Sequence, residues 1–107
     1  MSLDVYLKNA AGDELYSRNI THNLGKMAGA AGIYECLWWP DDHGITHARQ
    51  VIEPLAAGVA LLATEKARFE AFNSSNGWGM WEHFVPFCMD YLQACRDYPD
   101  AAVHVSR

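Results

Sequence analysis

Apolar and polar residues alternate strictly near the start of the chain: in LDVYLK (3–8), Leu3, Val5 and Leu7 fall on one face, and Asp4, Tyr6 and Lys8 on the other. That period of two marks a half-buried strand. ELYSRNI (14–20) reads as a second strand, and NAAGD between them supplies Gly12 for a turn position of positive φ, so a β-hairpin is expected. A hairpin alone is marginal in water. AAVHVSR (101–107) offers a third strand, with Val103 and Val105 facing one way and His104 and Ser106 the other, and is expected to pair beside the first.

Between the strands the period changes to that of a helix. In HNLGKMAGAAG, Leu24, Met27, Ala28 and Ala31 make a narrow apolar stripe, with Gly32 placed as a left-handed C-cap. Gly25 and Gly29 each cost about 1 kcal/mol against Ala in a helix interior, so this helix needs tertiary packing, or the glycines admit another backbone. IYECLWW runs on to Pro40, and Trp38 and Trp39, read as extended, point opposite ways. Thr46 is the expected N-cap of a helix to about Ala63, with Val51, Leu55, Val59 and Leu62 inward and Pro54 kinking or dividing it. Thr64 is the expected cap of a short helix anchored by Phe69 and Phe72. NSSNGWG (73–79) is dense in turn formers and reads as a loop. A last helix, about 79–97, carries Trp81, Phe84, Val85, Cys88, Leu92 and Cys95 on its apolar face and Glu82, His83, Asp90, Gln93 and Asp97 on its polar face. The expectation is an α+β fold in one domain, 1–107: a small antiparallel sheet, built from the N-terminal hairpin and the C-terminal strand, covered by three or four helices.

Composition narrows the function classes. With 107 residues, half of them apolar, the chain has material for one core. Its formal charge of −5, with eight scattered basic residues, argues against an extended nucleic-acid surface. Three cysteines with no CxxC pair favour a reducing cytoplasm over a disulfide framework. The most apolar stretch, PLAAGVALLA (54–63), is about half of the ~20 residues a bilayer span needs, and the N-terminus lacks a signal-peptide pattern. Four Trp, five Tyr and four Phe in so short a chain suggest a homo-oligomer that shares their burial.

Candidate chemistry gathers at two loops. THN (21–23) joins the second strand to the first helix; Thr21 or Asn23 fits as a cap, and His22 as either a ligand contact or a packed ring. Trp78, bracketed by Gly77 and Gly79, either reaches a ligand or plugs the helical layer. If the loops meet, His22, Asn23, Trp39, Asn76 and Trp78 line one concave wall, to which Arg18, Lys26 and Arg49 are the available basic residues, Arg18 and Lys26 both able to point toward a ligand near THN. DDHGITH (41–47) holds Asp41, Asp42, His43 and His47 in a His-x3-His spacing, but Gly44 stands between and no cysteine is near, so a solvated loop is expected rather than a metal site. No P-loop, GxGxxG or GxSxG is present. The reading is a binding module without a cofactor, for a protein partner or a small ligand such as a nucleotide. The alternative is a small hydrolase or lyase using His22 with the 41–47 residues, with or without a metal.

The segments NITHNLGKMA, AGIYECLW, NGWG and YPDAAVHVSR together resemble a family of small phage and bacterial proteins, and the resemblance spans nearly the whole chain. Trp39 stands where that family usually has arginine, which weakens any anion-binding role there. The resemblance implies a phage or prophage accessory protein acting in the host cytoplasm and carries no activity.

Overall fold

The computed structural model describes residues 2–107. Three strands form an antiparallel sheet: β1 (Ser2–Lys8), β2 (Glu14–Thr21) and β3 (Ala102–Ser106), in the order β2-β1-β3. The fold is α+β, with the chain end returning beside the first strand. Leu3, Val5 and Leu7 are completely buried on the sheet face that the helices cover. Register then places Ile20, Arg18 and Tyr16 of β2, and Val105 and Val103 of β3, on that same face. A bulge leaves Leu15 unpaired, since Lys8 faces Glu14 while Leu7 faces Tyr16.

Five helices lie between β2 and β3: α1 (Gly25–Ala30), α2 (Tyr34–Trp38), α3 (Arg49–Thr64), α4 (Lys66–Glu70) and α5 (Trp81–Asp97). The longer helices, α3 and α5, pack together and bury Val51, Leu55 and Leu62 against Phe84, Phe87, Cys88 and Tyr91. Pro54 and Pro86 sit inside these two helices without breaking them. Gly58 of α3 permits the tightest approach in the core: a Cβ there would lie 2.3 Å from Ile33 Cγ2. Gly25 faces the ring of Tyr34 and Gly29 open space, so neither admits a second backbone.

Several boundaries differ from those the sequence predicts. Thr46 does not cap α3, which starts three residues later; its backbone N–H donates to Gln50 Oε1 (2.7 Å). Thr64 is the last residue of α3, and its hydroxyl donates back to Ala60 O, leaving α4 without a side-chain cap. Phe69 is buried, but Phe72 is exposed. All three thiols are buried; burial pushes Cys36 and Cys95 up to about 12 and Cys88 well above its ordinary value. Of the thirteen aromatic residues five are buried, five are half-buried, and Phe72, Trp78 and Tyr98 are exposed. Among the described residues, no helix is long and apolar enough to cross a membrane.

Candidate functional site

The turn after β2 is held by its own side chains. Thr21 Oγ1 accepts from Asn23 N (3.3 Å), opening a 3-10 turn, His22–Leu24, that leads into α1. His22 is fixed from both sides of its ring. An indole N–H only donates, so Trp38 Nε1 at 3.2 Å makes His22 Nδ1 the acceptor. The ring hydrogen is then on Nε2, which donates to Ser2 O (2.7 Å). His22 therefore pins the start of β1 to α2 through both ring nitrogens, and neither is left free to ligate a metal.

The glycine-rich loop is equally self-locked. Asn76 Oδ1 accepts from Trp78 N (2.9 Å) and from Ser74 Oγ (2.5 Å), an Asx turn, while Asn73 Oδ1 accepts from Trp81 N (2.6 Å) at the start of α5. The two turns touch. Asn23 Nδ2 donates to Trp78 O (2.9 Å), and a Cβ on Gly79, whose φ is +106°, would lie 2.8 Å from Asn23 Cβ. Only glycine fits there. With its backbone tied at both N–H and C=O, Trp78 is still 69% exposed, so it does not plug the helical layer.

These turns border an open depression of about 1150 Å3. Of the residues nominated from sequence, Arg18, His22, Asn23, Asn76 and Trp78 line it. Trp39 does not. Residues 34–38 are helical, so Trp38 is not extended as expected: Tyr34 and Trp38, four apart, share a face and stack at 5.2 Å, and Trp38 is the indole that meets His22. Trp39, at the end of α2, turns away: Arg107 lies over its ring at 3.8 Å and donates to Trp38 O (2.7 Å) and Asp41 Oδ1 (3.2 Å). Lys26 borders a smaller hollow beside Tyr34 and Trp38, and Arg49 pairs with Asp100.

Sequence reasoning missed the far bank, His83 and Phe87 on α5. Their i, i+4 spacing puts them on one helix face, but nothing local says that this face meets β2. The link is the ion pair of Arg18 with Asp90, 72 residues apart. No carboxylate lines the depression, although the chain has thirteen. Its polar lining is chiefly neutral: Ser2, Asn19, Thr21, Asn23 and Asn76.

The 41–47 segment lies elsewhere. His43 Nδ1 contacts Trp39 O (3.1 Å), His47 Nδ1 contacts Thr46 Oγ1 (2.8 Å), and Asp41 is held by Arg107. That arrangement brings neither histidine to His22. Among the described residues, no three His, Cys, Asp or Glu side chains are grouped to hold a metal ion. No family model, curated protein or solved structure matches this chain.

Proposed function

We propose that the protein is a binding module whose ligand occupies the depression between the 21–23 turn and the 76–79 loop. One observation carries the reading: an exposed indole stands on a backbone fixed by Asn23 and Asn76, above an open cavity. A large ring held out to solvent by a pre-ordered loop offers contact area at low entropic cost. The His22-dependent hydrolase or lyase draws no support from this geometry, because both ring nitrogens are engaged. Action in the host cytoplasm as a phage or prophage accessory protein belongs to the same proposal and rests on the sequence resemblance.

The test is a thermal-shift panel of peptides and of cyclic and linear nucleotides, run on the wild type and on Trp78→Ala. A ligand at a hundred times its Kd stabilises the native state by about 2.7 kcal/mol, so a genuine occupant raises the melting temperature of the wild type by several degrees and that of the variant by much less. A panel with no response, or equal responses in both proteins, overturns the proposal.

A further inference from the structure

The walls of the depression differ in kind. On one side stand four consecutive residues of β2, Arg18 to Thr21. Successive side chains of a strand point to opposite faces, so four in a row reach one cavity only if the cavity runs along the strand's edge. That edge is the outer one of β2, and among the described residues none of its N–H or C=O groups takes a backbone partner there. The outer edge of β3 is treated differently: Val103 N donates to Thr46 O and Ala48 N to Ala101 O, so residues 46–48 cover it.

An open edge is normally guarded by shortness, proline, charge or a covering segment. The bulge at Leu15 and the charge of Glu14 guard the far end of β2, but the stretch Arg18–Thr21 that borders the depression has no proline and no bulge, and its Arg18 is paired with Asp90. Facing it across the depression are the exposed His83 of α5, with Phe87 buried one helical turn beyond it, and the ring of Trp78. A free strand edge opposite a helix face recognises an extended main chain: the edge pairs its backbone, and hollows between strand and helix take alternate side chains. The volume exceeds the roughly 300–1,000 Å3 usual for a small-molecule pocket. The lining holds no carboxylate and its one arginine is paired with Asp90, so it presents no unpaired charge of Arg, Lys, Asp or Glu to a ligand, which matches an uncharged segment.

We propose that an extended, uncharged peptide segment with apolar side chains at alternate positions adds to β2 as a fourth strand in this groove. This rests on the binding-module reading and names its ligand class. Backbone hydrogen bonds then dominate recognition, and affinity varies little from low to high salt, because few charges are screened.

The experiment selects a displayed library of random heptapeptides against the full chain and synthesises the strongest binder with blocked ends. Three results are expected. Hydrogen exchange slows at the alternate, outward-pointing amides among residues 17–21 when the peptide is bound. N-methylation at alternate peptide positions weakens binding about tenfold per lost bond, while the intervening positions tolerate it. The affinity of Trp78→Ala falls at least about tenfold, as for an aromatic anchor. A peptide or nucleotide whose binding depends on Trp78 but leaves exchange in β2 unchanged overturns strand addition and leaves the binding-module reading standing. If no peptide is enriched and no ligand distinguishes Trp78→Ala from wild type, both fall. Protection of the same amides on raising protein concentration, with a dimer mass by light scattering, overturns the peptide in favour of a second copy of the chain.

Discussion

Trp38 and Trp78 show the same residue type put to opposite uses in neighbouring parts of one molecule. Trp38 is 1% exposed, stacked on Tyr34, with its N–H bonded to His22; Trp78 is 69% exposed and tied down only through its backbone. In the first, ring and polar atom are consumed by the fold. In the second, the fold consumes only the main chain. The contrast separates a residue that holds the turn in place from one that the turn displays.

The sharpest way to break the contrast is Trp38→Ala, which empties the site behind His22. A loss of about 3–5 kcal/mol in denaturant unfolding is expected. Next is thiol chemistry behind the sealed side. Burial raises Cys36 and Cys95 from 9.0 to about 12, so at any pH below 9 their thiolate fraction is about a thousandfold below that of the unfolded chain. Labelling by a thiol reagent at pH 8 should be correspondingly slow in the native protein and fast in urea. Gly79→Ala forces a Cβ against Asn23 at an unfavourable φ, and a loss of about 1–3 kcal/mol should accompany a weaker response to groove ligands. For Trp78→Ala the stability change should stay within about 0.5 kcal/mol of zero while ligand response is lost, since a surface side chain contributes little to folding.

The smallest effect concerns Asp41, whose carboxyl is held below its ordinary 3.8 by the Arg107 side chain that donates to it. The sign is that of a depressed acid. Its contribution is complete above 3.8 and fades as pH falls through the lower folded value. An NMR titration should show the indole signal of Trp39 shifting as pH falls below 4, and an unchanged signal there would remove the clamp from this account.

The sheet was legible because period two survives translation directly into side-chain faces, as Leu3, Val5 and Leu7 show. The meeting of THN with NGWG was readable only as a conjecture from residue type, and it is Gly79 and Asn23 that realise it. The exchange of Trp38 for Trp39 had a local cause. Adjacent side chains diverge differently in a helix and a strand, so reading Trp38 and Trp39 as extended nominated the wrong indole. His83 and Phe87 had no local signal, because their role depends on α5 returning alongside β2 through Arg18 and Asp90. Thr46 and Thr64 failed as caps for a simpler reason: each has a nearer partner, in Gln50 and Ala60.

Of the four indoles, one is sealed, Trp39 and Trp81 are half covered, and that of Trp78 faces water. Iodide therefore quenches chiefly a single red-shifted emitter, and an occupant lying against it would restore that fraction of the fluorescence. The groove thus carries a built-in optical reporter, which permits titration of any unlabelled compound without an added dye.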